Sequence, residues 1–357
     1  MGRERAAIAA MRGYTPGKQP DVAGVVKLNT NENPYPPCAA VLDALRHVEP
    51  DSLRRYPPPM SDALRVTAAG IHGVEPDCII AVNGGDELLR LAVTTFVEPG
   101  APIGMLDPSY SLYPVLAEIH GSPIVRVACA NDWSWPSDLA ARMNAAGANL
   151  LFLVNQHAPS GCLAGAADVD GLARAFRGVL LVDEAYVDFV DPALGHDLVP
   201  LARAHDNVLL LRTLSKGYSL AGLRVGYGVG QPALIAPLLK TRDSYNLDAI
   251  AQRLARVALE HRAEAAETWR RVRDERARLT TRLNALGCMS PPSQSNFLLA
   301  SLPRGHAAAS VQRALEARGV LVRWFDEPRL RDCLRISVGT PAENDRLLAE
   351  MLRVLRA

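Results

Sequence analysis

Lys216 is the residue best placed for chemistry, because of what surrounds it. An apolar run at 208–211, suited in length and composition to a buried strand, ends in Arg212, Thr213 and Ser215 just before the lysine. Arg224 follows eight residues after Lys216, among glycines at 217, 222, 226, 228 and 230. An amine, two hydroxyls and a guanidinium gathered at one strand end can hold a phosphate and present a nucleophilic nitrogen at once. The plain alternative is a solvated lysine and arginine on a turn.

The elements that must position this cluster are short apolar runs alternating with helical spacing. The runs fall at 78–82, 102–106, 124–129, 150–154, 179–182 and 208–211, with a further strand expected at 223–229. Helical spacing occupies 87–97, 113–119, 137–145 and 169–176. Strand and helix in alternation predict a mostly parallel sheet covered on both faces. In such sheets ligands bind at the carboxyl ends of the strands. Five strand ends deliver polar groups there: Asn83-Gly84-Gly85-Asp86, Asp107-Pro108-Ser109-Tyr110, Asn155, Asp183-Glu184-Ala185-Tyr186, and the Lys216 group.

One cofactor asks for this combination: pyridoxal phosphate needs an amine for its aldehyde and cations for its phosphate. Lys216 then carries the Schiff base and shuttles protons, its pKa lowered by burial and neighbouring charge. Asp183 pairs with the pyridine nitrogen, Asn155 and Tyr186 hydrogen-bond the phenolic oxygen, and Tyr110 stacks on the ring. Gly84, Gly85 and Asp86 precede a helix whose N-terminus suits the phosphate, with Thr213, Ser215 and Arg224 completing that site.

The remaining chain bounds the possibilities. Its 357 residues, 48% of them hydrophobic, are enough for a large core and an appendage. A net charge of +1 offers no electrostatic case for nucleic acid or a membrane surface. No apolar run approaches the roughly 18 residues of a membrane helix, and the opening MGRERAAIAAMRGY lacks the apolar core of a secretory signal. Six scattered cysteines without a CxxC pair point to a reduced, cytoplasmic chain with neither a disulfide frame nor a metal site. Residues 1–30 read as an arm with a short strand at 25–28, and 31–245 as a large α/β domain. Residues 246–357 read as a long linking helix from 248 towards 286 followed by a small α+β domain, which also uses part of the N-terminal segment. The linking helix is expected to keep its dense Arg and Glu face in solvent. The glycines at 226, 228 and 230 do not make a dinucleotide site, since their spacing is wrong and no helix opens after them.

Eleven segments resemble the histidinol-phosphate aminotransferase family of fold-type I pyridoxal-phosphate enzymes, in order and across nearly the whole chain. They are YTPGKQP at Tyr14, KLNTNENPYPP at Lys27, RRYP at Arg54, NGGDE at Asn83, DPSYSLYP at Asp107, VDEAYVDF at Val182, RTLSKGYSLAGLRVGY at Arg212, RDSYNLD at Arg242, SQSNFLL at Ser293, GVLVRWF at Gly319 and LRISVGT at Leu334. The resemblance implies amino transfer between small amino and keto acids through Lys216. It also implies substrate contacts at Tyr14, Asn33, Arg323 and Arg335, and a homodimer in which Tyr56 reaches the neighbouring subunit's phosphate site.

The family pattern is departed from at Val82, Gly85 and Ser109, where glycine, serine and threonine are common, and chiefly in one loop. Where an Asn-Pro pair is usual, the sequence reads Asn155-Gln156-His157-Ala158-Pro159-Ser160-Gly161, and His157 is expected to be an exposed loop histidine. A related pyridoxal-phosphate enzyme with another amino-acid substrate, or one that decarboxylates or eliminates, is the alternative this loop leaves open.

Overall fold

The computed structural model describes residues 3–20 and 24–356, so residues 1, 2 and 21–23 of the expected arm and the C-terminal residue 357 lie outside the description. The strands are β1 (Val26–Leu28), β2 (Ile79–Val82), β3 (Ile103–Asp107), β4 (Ile124–Ala128), β5 (Leu150–Val154), β6 (Val179–Asp183), β7 (Val208–Thr213), β8 (Gly226–Val229), β9 (Phe297–Ser301), β10 (Val320–Val322) and β11 (Cys333–Ser337). Seven of them form one sheet in the order β2-β8-β7-β6-β5-β3-β4. It is parallel except at β8, which runs antiparallel to both β2 and β7. The result is an α/β fold built on a mostly parallel sheet packed with helices, as the resemblance implies.

The reversal at β8 explains its glycines. A Cβ on Gly226 would stand 2.7 Å from the Arg212 carbonyl oxygen, and one on Gly228 would lie 2.9 Å from both Ile80 and Leu88. These glycines let β8 fit under the Gly85–Phe96 helix between two strands. The expected strand at 223–229 starts late, because Ala221–Leu223 forms a 3-10 turn and Arg224 takes a left-handed φ of 56°.

The helix expected from 248 towards 286 is two helices, Ala249–Glu260 and Arg262–Ala285, parted at His261. The first packs on helices Ala39–Arg46 and Asp62–His72, and the second runs on to β9 and the C-terminal helix Pro341–Arg356. Its charged face is not wholly solvated: Arg276 is buried and donates to the carbonyls of Phe189 (2.9 Å) and Ser295 (2.8 Å). The helix Pro232–Thr241 was not foreseen. Pro232 sits in its first turn, where the missing N–H costs nothing, but Pro237 lies inside it and hides the pattern.

Buried apolar side chains of the described residues fall into one large cluster around the seven-stranded sheet, a second around β9 and β11, and a small third of Leu299, Leu330 and Cys333. The second includes Val26 and Leu28, because β1 pairs in parallel with β10. Arg323, just past β10, exchanges backbone hydrogen bonds with Arg335 on β11, which brings the two arginines side by side. Among the described residues, no helix is long and apolar enough to cross a membrane, and no group of His, Cys, Asp and Glu could hold a metal ion.

Candidate active site

Strands β5, β6 and β7 are neighbours with their ends in register: Val154 pairs with Asp183, and Asp183 with Leu211. Their carboxyl ends therefore open on one place, a cavity of about 200 Å³. Its wall holds Tyr14, Gly85, Asp86, Tyr110, Asp183, Tyr186, Thr213, Ser215, Lys216, Arg224, Arg323 and Arg335. Side-chain alternation selects among the strand-end residues. Leu211 and Thr213 face the cavity, whereas Arg212 turns to the other side and pairs with buried Glu184 at 2.8 Å. Arg212 therefore does not belong to the cationic cluster.

Lys216 is half-buried, and its Nζ donates to the Thr30 carbonyl at 2.9 Å. Burial, followed by the charge of Arg335, lowers its pKa to about 8. Asp183 is 5% exposed. Its carboxylate accepts from the Tyr113 hydroxyl at 3.0 Å and the Ala185 N–H at 3.1 Å. Burial nonetheless dominates and raises its pKa to about 6, as for an anion with no cation beside it. The Asn31 amide donates to the Tyr186 hydroxyl at 3.1 Å. Tyr110 meets Tyr14 and Tyr113 edge to face, with centroids 6.1 and 5.5 Å apart.

At one end of the cavity the helix Gly85–Phe96 begins without any side chain capping it, which leaves its first N–H groups available. Thr213 donates to the Ser215 hydroxyl at 3.0 Å, and Arg224 reaches both Ser215 and Asp86 at 3.4 Å. Gly84 has a φ of 75° and stands behind Arg224: a Cβ there would lie 2.6 Å from the guanidinium. Two hydroxyls, a guanidinium and a helix N-terminus make an anion cradle. At the other end, Arg335 lies over Phe297 and Phe325 and donates to the Asn29 carbonyl, while its Nε has no partner. Arg323 is held by the carbonyls of Thr15 and Pro16 at 3.2 and 3.4 Å.

Four residues expected here do not line the cavity: Gly84, which only backs the Arg224 guanidinium, and three more. Asn155 follows Val154 and points the other way; its amide is engaged with the N–H and carbonyl of Ala164, at 2.9 and 3.2 Å. Asn33 braces the backbone next to Lys216 instead, donating to the Gly217 carbonyl (3.3 Å) and Thr268 (3.2 Å). Tyr56 is 81% exposed and stacks on Tyr245, centroids 4.4 Å apart.

His157 is also corrected. It is 5% exposed rather than a surface histidine, with Nδ1 2.8 Å from the Ser160 hydroxyl and Nε2 2.9 Å from the Pro108 carbonyl. Burial lowers its pKa to about 4, so it is neutral near pH 7. Gln156 beside it is fully buried, with neither amide atom partnered among the described residues.

The reading of the sequence missed Tyr113, Asn31, Phe325 and Glu327. Tyr113 and Asn31 lie inside the segments at Asp107 and Lys27, but only the folded chain shows that they touch Asp183 and Tyr186.

A family model described as aminotransferase class I and II matches residues 23–351. A histidinol-phosphate aminotransferase of Microcystis aeruginosa is 43% identical over 96% of this chain and 95% of its own length. One from Geobacter sulfurreducens is 41% identical over 98% of this chain and 99% of its own. The crystal structure of histidinol-phosphate aminotransferase from Sinorhizobium meliloti, in complex with pyridoxal-5'-phosphate, has a TM-score of 0.89 at 27% identity, covering 100% of this chain and 98% of that one. The chain belongs to the class I and II aminotransferases, and within them to the histidinol-phosphate aminotransferase family.

Proposed function

We propose that this chain is a pyridoxal-phosphate-dependent aminotransferase exchanging an amino group between histidinol phosphate and 2-oxoglutarate. The observation that carries this reading is one cavity joining a half-buried amine, a buried carboxylate without a cation, and an anion cradle at a helix N-terminus.

The donor set fits the cofactor. Thr213, Ser215, Arg224 and the first N–H groups of Gly85–Phe96 would hold its phosphate. Asp183 would face its ring nitrogen, a positive partner for a buried carboxylate with no cation beside it. Tyr186, steadied by Asn31, would donate to its ring oxygen. When bound, pyridoxal phosphate supplies an aldehyde that takes up amino groups and a ring that withdraws electrons from bonds at the substrate's α-carbon.

The chain's own residues do the rest. Lys216, with a pKa near 8, is a fair base close to neutral pH and moves the proton at the substrate's α-carbon. Asn33 and Trp269 both donate to the Gly217 carbonyl, at 3.3 and 2.6 Å, and so fix the backbone from which that amine reaches. Arg335 and Arg323 bind the substrate's anion. A guanidinium pairs bidentately with carboxylate or phosphate alike, so one pair serves both half-reactions. The exposed Tyr56–Tyr245 stack supports a homodimer in which a second copy covers it.

The test is direct. Enzyme mixed with histidinol phosphate and 2-oxoglutarate should form glutamate, and Lys216→Ala should not. Wild-type enzyme with bound cofactor but no glutamate above that control overturns the reading.

A further inference from the structure

Past β10 the chain stays extended, and alternation turns Arg323, Phe325 and Glu327 into the cavity. Trp324 and Asp326 face away: the Trp324 indole donates to the Arg331 carbonyl at 3.0 Å, and Asp326 pairs with Arg331, also at 3.0 Å. The arc is pinned at its far end too. Arg329 lies over the Trp133 ring, 4.0 Å from its centroid, and donates to the carbonyls of Cys129 and Ala130. Leu330 is buried against Leu299 and Cys333. Glu327 is thus presented to the cavity by a segment whose ends are both anchored.

The other charged groups in the wall have work to do. Asp86 meets Arg224 and Tyr110, Asp183 meets Tyr113, and the arginines, hydroxyls and lysine serve the anions and the reacting amine. The half-buried Glu327 carboxylate has neither a hydrogen bond nor an ion pair among the described residues. Asp107 repels it and Arg126 attracts it, but Arg126 is engaged with Asp107 at 3.4 Å. A partly desolvated carboxylate without a donor is costly, and the cost is relieved when a ligand brings one.

We propose that Glu327 is a specificity-determining residue that accepts a hydrogen bond from the ring N–H of an imidazole-bearing substrate. This rests on the function proposed above, because the arginine pair takes the substrate's anion and leaves the ring to be read elsewhere in the cavity. Glutamate has no ring, and its side-chain carboxylate is repelled by Glu327. The residue therefore separates the two amino donors that the arginine pair alone treats alike.

The test uses the holoenzyme and its Glu327→Ala and Glu327→Gln variants. The measured quantity is kcat/KM for histidinol phosphate, for phenylalaninol phosphate, whose ring has no N–H, and for glutamate. Glu327→Ala should lower the ratio of histidinol phosphate to phenylalaninol phosphate roughly ten- to a hundredfold, as for loss of one hydrogen bond to a charged group. The ratio of histidinol phosphate to glutamate should fall with it. Glu327→Gln, whose amide oxygen still accepts, should keep part of the preference. If all three substrates lose activity in parallel, or the ratios do not move, Glu327 is not the reader of the ring. Wild-type enzyme inactive on histidinol phosphate overturns the proposed function and this inference together; active wild type with unmoved ratios overturns this inference alone.

Discussion

The two ends of the cavity are built differently. The cradle end draws Gly85, Asp86, Asp183, Thr213, Ser215 and Lys216 from the carboxyl ends of strands of one sheet, and Arg224 from the turn that enters the antiparallel β8. The arginine end draws Tyr14 from the N-terminal segment, and Arg323, Phe325, Glu327 and Arg335 from the segments around β10 and β11. At the first end, rigid strand ends fix groups that every substrate of the proposed reaction would use. At the second, segments distant in sequence meet around groups that discriminate between substrates. Chemistry common to all substrates belongs on the stiffest part of the scaffold, and selection can be carried by loops pinned on it.

The largest test of this contrast is Asp183→Asn. An amide cannot balance a positive ring nitrogen, so turnover should fall on the order of a hundredfold, and by a similar factor for both amino donors. Near-normal steady-state rates, or a loss confined to one donor, would break the contrast.

Arg335→Lys should come next. A point charge replaces a fork, and kcat/KM should fall roughly thirtyfold while kcat falls less. A loss in kcat as large as that in kcat/KM would move Arg335 to the chemical end.

Tyr113→Phe sharpens the contrast from below. The hydroxyl donates to ionised Asp183 and holds its pKa down against burial, so removing it should raise that pKa further above about 6. Turnover should fall about tenfold, as for one hydrogen bond to a charged group. The pH below which apo-enzyme loses affinity for pyridoxal phosphate should shift upward; titrating binding by absorbance from pH 5 to 8 reads it.

The smallest effect on activity belongs to His157. Its folded pKa, about 4, lies below the unfolded value near 6.5. As pH falls through that window the unfolded chain takes up a proton that the fold refuses, so stability is lost with acid, by roughly 3 kcal/mol in all. His157→Gln should flatten the melting temperature between pH 4.5 and 6.5 and leave turnover at pH 8 within about twofold. An unchanged acid slope would mean that His157 is charged or exposed.

The same contrast governs what could be read in advance. Every residue lining the cradle end was legible, because an apolar run announces a buried strand and the polar residue after it announces the strand's end; Asn155 was expected there too and points elsewhere. Asn155 failed because the reading did not apply side-chain alternation beyond Val154, and Arg212 joined the cluster for the same reason. Glu327 was invisible: an acidic residue in a loop looks like ordinary solvent-facing charge until β10 is seen leading it into the cavity. His157 was misplaced because burial of a loop is a property of what covers it, here Trp133, Pro108 and Cys129 from other segments.

By itself, then, the sequence determined the alternation of strands and helices, the position of Lys216 and Asp183 at strand ends, and the pairing of an amine with an anion cradle. These follow from periodicity and from short spacings, which are local. Tertiary structure decided that β8 runs antiparallel, that the helix from 248 breaks at His261, and that β1 joins the C-terminal strands. It also decided which side of each strand end faces the cavity and that Arg323 and Arg335 stand together. Those outcomes depend on register and packing between segments up to 300 or so residues apart, such as β1 and β10, and spacing along the chain carries no record of them.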